Sequence, residues 1–220
     1  MHRQGCCLAL ILCLGPISPC FAEIYVAGEV GAGFPNDLKS VEGTGSIHGV
    51  QFSDISFKNT FLYGGKLGYF FDDPSWKWIG MELEVFNSNP HIKQQTVTAT
   101  GGGATVSTIA NGAHVLVTTT ALNLVMRYPS KLIEPYAGIG LAFVHAKLSD
   151  ETGSTSDDSP GLNVLAGLRG YLTKNLAVFG EVKYTYTSFS FENAGATVGE
   201  GITGIYSTYG IVGGLSWHFK

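Results

Sequence analysis

Beyond residue 20 the sequence contains no cysteine. All four, Cys6, Cys7, Cys13 and Cys20, fall within the first 22 residues. A chain cut after Ala22 therefore forms no disulfide, and its stability must come from backbone pairing and packing. Charge is also scarce: Asp, Glu, Lys and Arg make up 14% of residues, against roughly 25% in a typical soluble domain. The charge present leans acidic, with 12 basic against 17 acidic residues once Arg3 is removed. This excludes a nucleic-acid surface. No apolar run reaches 18 residues, so no transmembrane helix is expected. The run "CCLALILCL" (6–14) is too short to span a bilayer. Placed after Arg3 and before small residues ending at Ala22, it reads as a cleaved secretory signal peptide over 1–22, with the mature domain over 23–220. Leu12 before Cys13 and Pro19 before Cys20 are too large for a lipid-modified cysteine.

Glycine, by contrast, is abundant, at 30 of 220 residues, about twice the usual ~7%. The rest of the sequence alternates with period two. In "FGEVKYTYT" (179–187), Val182, Tyr184 and Tyr186 line one face and Glu181, Lys183, Thr185 and Thr187 the other. The same alternation marks 23–34, 61–71, 78–86, 115–128, 134–145, 162–172 and 209–219, which makes eight strands. The connections at 72–76, 129–133 and 173–175 are short. Those at about 35–57, 87–113, 147–160 and 190–204 are long and polar. Strands of about ten residues, joined alternately by short turns and long loops, are the pattern of a bacterial outer-membrane barrel. The fold class expected is all-β, an eight-stranded antiparallel up-and-down transmembrane β-barrel. A soluble lipocalin-like barrel is the alternative, but its outer face would be charged.

Alternation also assigns inside and outside. The apolar faces meet lipid. The interior receives Glu29, Glu82, Glu84 and Glu181 against Lys66, Arg127, Arg169 and Lys183, four acids against four bases. Eight strands enclose a space that side chains fill, and buried charge is tolerable there when paired. The glycines between these charges leave room for the long cationic side chains. Opposite positions of a hairpin share a constant residue sum, which places Lys66 against Glu82 about Pro74, and Arg169 against Glu181 about Asn175, directly or one pair out of register. Thr118 and Thr120 fall on the lipid face. Aromatics near the short turns (Phe70, Phe71, Trp76, Trp78, Tyr171, Trp217) and near the long loops (Phe34, Phe61, Phe86, Phe143, Tyr209) are expected to form two interfacial girdles.

Candidate chemistry is sparse. "GEGITG" (199–204) matches the dinucleotide fingerprint but precedes a strand rather than a helix. Ser216 and His218 share a strand face and make a poor nucleophile–base pair unless a third group orients them. Glu82 and Glu84 read as charge partners of Lys66 and Arg127 rather than an acid–base couple. His48, His91, His114 and His145 lie in or beside the long loops without metal-ligand spacing. No catalytic set, cofactor or metal is expected.

"PYAGIGLAF" (135–143), "LAVFGEVKYTYT" (176–187) and "YGIVGGLSWHF" (209–219) give the chain a family likeness. It resembles the small eight-stranded outer-membrane barrels, which include the transmembrane domain of outer-membrane protein A. In that family a terminal aromatic preceded by alternating apolar residues is read by the barrel-assembly machinery. Ile211, Leu215, Trp217 and Phe219 match, although Lys220 follows the Phe. The resemblance implies a monomeric integral outer-membrane protein in contact with membrane lipid and lipopolysaccharide. The function expected is non-enzymatic: envelope integrity, with surface loops available for adhesion or ligand binding. A narrow pore for small solutes or ions, and a lipid-modifying enzyme, are the alternatives.

Overall fold

The structure, a computed structural model, describes residues 22–37, 39–45, 48–54, 56–71, 73–90, 95–101, 104–110, 114–130, 132–149, 154–191 and 200–219. Residues 1–21 of the expected signal peptide, His91 and Lys220 lie outside them, while Ala22, its expected last residue, opens β1 opposite Phe71. Twelve strands form: β1 (Ala22–Pro35), β2 (Lys39–Gly45), β3 (Gln51–Phe52), β4 (Thr60–Phe71), β5 (Ile79–Ser88), β6 (Gln95–Gly101), β7 (Ala104–Ala110), β8 (His114–Arg127), β9 (Ile133–Ser149), β10 (Ser154–Tyr171), β11 (Leu176–Phe191) and β12 (Glu200–Phe219). Eight of them, β1, β4, β5, β8, β9, β10, β11 and β12, pair antiparallel in that order, and β12 returns to β1. The wall therefore closes without an edge.

The faces follow the alternation. Val182, Leu141 and Ile211 are more than half exposed, while Glu181, Lys183, Val212 and His218 are buried. Three aromatics expected in the girdles face inward instead: Phe70 and Phe86 are buried, and Tyr171 reaches Glu23 through its hydroxyl at 3.4 Å. Parity decides their direction, because each lies one residue from an outward neighbour.

The inward aromatics explain the glycines better than side-chain length does. Tyr25 stands directly across from Gly68, Phe70 from Gly80, Phe86 from Gly64, Tyr136 from Gly167 and Phe179 from Gly214. At all five glycines a Cβ would come within 2.6 Å of the opposite side chain. At Gly68, Gly80, Gly167 and Gly214 an alanine would collide with the ring of Tyr25, Phe70, Tyr136 or Phe179, and at Gly64 with the Cβ of Phe86 and the carbonyl of Val85.

Both hairpins are shifted by two residues, one same-face pair, from the direct pairing. Lys66 lies opposite Glu84, and Glu82 opposite Gly68. Glu181 lies opposite Gly167, and Arg169 opposite Phe179. In the first turn Asp73 accepts from the amides of Trp76 and Lys77, which moves the centre past Pro74. In the second, Leu172 and Thr173 both donate to the carbonyl of Leu176.

Beyond the membrane the strands run on. The stretch expected as a polar loop at 147–160 is mostly strand, with Ser154 paired to Ser149 and Asp158 to His145. Polar residues occupy nearly every position there, so no apolar alternation marks them. The first two long connections also pair: β2 joins the extracellular end of β12, and β3, β6 and β7 extend the sheet from it. From the first connection Val41 and Phe57 fold into the barrel mouth, with Phe52 half-buried beside them. They pack on Val117, Val144, Ala146 and Tyr206 of the inner wall. These isolated apolar residues in a polar stretch carry no periodicity that would announce a cap.

Candidate functional site: the charged lumen

Below that apolar cap the inward side chains of β1, β4, β5 and β11 meet at the barrel centre. The ammonium of Lys66 lies 2.7 Å from Glu181, 3.3 Å from Glu82, 3.4 Å from Glu84 and 3.6 Å from Glu29. Lys183 pairs with Glu29 at 2.6 Å, with Glu181 at 3.5 Å and with Glu84. Neutral donors complete the carboxylate shells. Tyr25 donates to Glu82, Tyr136 to Glu181 at 2.9 Å, and Asn123 and Asn163 to Glu84 at 3.2 and 3.1 Å. Burial of this many charges is bearable only because nearly every oxygen has a donor. Oε2 of Glu29 is the least well supplied of these oxygens, with the Lys66 ammonium at 3.6 Å.

Oxygens of Glu29, Glu84 and Glu181 approach one another within 4.8 Å, as metal ligands would. Both lysine ammonium groups sit among them, so the charge a divalent cation would supply is already present.

The two arginines belong to a second cluster, nearer the short turns. Arg169 pairs with Glu134 at 3.0 Å rather than with Glu181, because the two face each other across β9 and β10. Arg127 binds Glu23 at 2.7 Å and Glu134 at 3.5 Å. The inventory of four acids against four bases therefore divides: four glutamates surround the two lysines, and two further glutamates serve the two arginines. Glu134 opens the segment "EPYAGIGLAFVH" on its inward parity, and that parity was the signal for it. Glu23 sits at the very start of β1, where no alternation precedes it.

All four cations also rest on rings. Arg127 lies 3.8 Å from the centroid of Phe70, Arg169 4.6 Å from Tyr25 and 5.0 Å from Tyr136, Lys183 4.6 Å from Phe86 and Lys66 5.6 Å from Phe179. For Lys66, Arg127 and Arg169 the ring beneath the cation also covers a glycine of the next strand. Such contacts strengthen when desolvated.

A double-mutant cycle tests the corrected arginine pairing. Arg169→Ala with Glu134→Ala is expected to cost less than the two single changes together, by ~0.5–3 kcal/mol in unfolding free energy. Arg169→Ala with Glu181→Ala should show a smaller coupling. Strict additivity for the first pair would break the assignment.

Ser216 and His218 acquire the third group they lacked in sequence. Oγ of Ser216 lies 3.0 Å from Nε2 of His218, and Nδ1 lies 2.7 Å from Glu23. The geometry is that of a nucleophile, base and orienting acid. However, Ser216 is 1% exposed and the imidazole 0%, with Tyr25 and Tyr171 packed against the ring. The hydroxyl and the imidazole are thus covered, and the trio lies at the short-turn end of the lumen.

A closed barrel with a lipid-facing apolar wall and a filled polar interior defines an integral outer-membrane protein. The family described as "Outer membrane protein beta-barrel domain" matches residues 22–219, and the chain belongs to it. Solved structures similar to it include the outer membrane protein OprG from Pseudomonas aeruginosa, at 17% identity, 90% and 95% of the two chains covered and a TM-score of 0.59. Neisserial surface protein A follows at 14% identity, 89% and 97% coverage and a TM-score of 0.54. At these identities the likeness is one of fold. No curated protein matches the sequence.

Proposed function

We propose that this protein is a sealed, non-enzymatic barrel that reinforces the outer membrane and presents its extracellular strands as a recognition surface. The observation that carries the reading is the doubly filled lumen. Val41 and Phe57 cap the extracellular end, and the glutamate–lysine cluster fills the centre. A hydrated ion crossing it would have to separate buried pairs and displace apolar side chains. The sheet extension of β2, β3, β6 and β7 offers polar surface outside the membrane for adhesion or ligand binding. Ile211, Leu215, Trp217 and Phe219, all outward on β12, are the ending that the barrel-assembly machinery would read.

Planar-bilayer recording tests the reading against that of a narrow pore. The reconstituted protein should show little or no steady conductance. Stable, repeated unitary steps would reject the sealed barrel and favour the pore.

A further inference from the structure

The outer wall carries a feature that neither envelope support nor a sealed lumen requires. Across β5, β8, β9 and β10 one ladder row reads Asn87, Thr118, His145, Asp158. All four point outward. Thr118 Oγ1 donates to Asn87 Oδ1 at 2.7 Å, and Nδ1 of His145 lies 2.6 Å from Asp158 Oδ1. Two further rows follow toward the membrane centre on the same strands: Thr120, Phe143 and Pro160, then Leu122, Leu141 and Leu162. The polar side chains therefore stop where the apolar wall begins, at the exposed ring of Phe143.

Two concavities follow this order. The upper, about 450 Å³, is lined by Thr118, Thr120, Phe143, His145, Asp158 and Pro160 among others. The lower, about 380 Å³, is lined by Met81, Leu122, Leu124, Ile139, Leu141 and Leu162 among others. They share three strands and lie on consecutive stretches of each. A hydrogen-bonding hollow at headgroup depth continues into an apolar groove at acyl-chain depth. That is the shape of one lipid molecule standing against the wall.

The lining also selects the headgroup. It offers a carboxylate, an imidazole and two hydroxyls beside an aromatic ring. Asp158 at the rim repels a phosphate. Vicinal hydroxyls suit the set: one donates to the Asp158 carboxylate while a neighbour bonds the imidazole or a threonine, and the Phe143 ring offers an apolar face to a pyranose. We infer that the outer faces of β8, β9 and β10 form a binding site for a single lipid with a saccharide headgroup, with Thr118, His145 and Asp158 holding its hydroxyls and Leu122, Leu141 and Leu162 seating an acyl chain.

The test uses the full mature protein in phosphatidylcholine nanodiscs doped with monoglucosyl diacylglycerol or, separately, with phosphatidylglycerol, and native mass spectrometry to count retained lipids. The wild type should release with one glucosyl lipid bound. His145→Ala with Asp158→Ala, and independently Leu141→Asn, should each lower its occupancy about tenfold. All three residues are outward and exposed, and heat-modified gel mobility verifies that the variants fold. Millimolar glucose should leave occupancy unchanged, since the acyl groove contributes. Displacement by free glucose would mean that the site takes soluble sugar and would overturn the lipid assignment. Equal retention of phosphatidylglycerol, or wild-type retention by the folded double variant, would overturn the site itself.

Discussion

Lys66→Met is expected to lower the unfolding free energy of the barrel by about 3–5 kcal/mol, the usual result when one partner of a buried ionic cluster is removed. The methionine fills similar volume, so the loss reports charge rather than a cavity. Lys66 touches four carboxylates, and in its absence Lys183 alone must compensate Glu29, Glu84 and Glu181. Glu82 would keep only neutral donors, Tyr25 and Asn123. The effect should appear as a reduced urea midpoint in lipid vesicles. Adding Glu181→Gln should restore part of it, because it removes one of the stranded charges. Lys174→Met, in the exposed turn before β11, should change the midpoint little. A Lys66→Met midpoint equal to that of the wild type would mean that water enters the lumen and screens the cluster.

The second large effect concerns the outer wall. Val182 lies at mid-strand, 55% exposed, between Ala166 and Ile211 on the neighbouring strands. Val182→Arg should cost ~2–4 kcal/mol, the range for a cation at the bilayer midplane. Ser188 shares its face six residues farther out, beyond Tyr186. Ser188→Arg should remain within about 0.5 kcal/mol of the wild type, as exposed surface changes usually do. Folding equilibria in vesicles measure both. Equal costs at the two positions would contradict the membrane boundary assigned here.

Alternation makes the wall legible. Lipid selects the outward residue and the lumen the inward one, at every second position, so facing follows within a segment such as "WIGMELEVF" or "FGEVKYTYT", and the eight segments with their alternating connections give the order of the wall strands. The interior was legible one residue at a time but not as pairs. Arg169 and Glu181 share a lumen, yet which carboxylate an arginine meets depends on register: a turn closed one residue earlier sets Phe179 rather than Glu181 across from Arg169, and the β9–β10 pairing sets Glu134 on its other side. The extracellular half was the least legible. Beyond the membrane the outward residues turn polar like many of the inward ones, so the upper parts of β9 and β10 read as loop. Val41 and Phe57 could be recognised as a cap only once the strands they touch were in place.

Glu23 and His218 hydrogen-bond although 195 residues separate them, and β1 is joined to β12 from Ile24–Phe219 to Pro35–Thr208. Synthesis and export run from β1 to β12, so the first strand delivered waits for the last. Until β12 arrives, β1 carries an open edge that could template pairing with another chain. Closure at such sequence distance is slow. The interval before β12 pairs is therefore the one in which the β1 edge is most open to unwanted pairing. A nascent chain stalled before Glu200 would not be a weaker barrel but an adhesive strand.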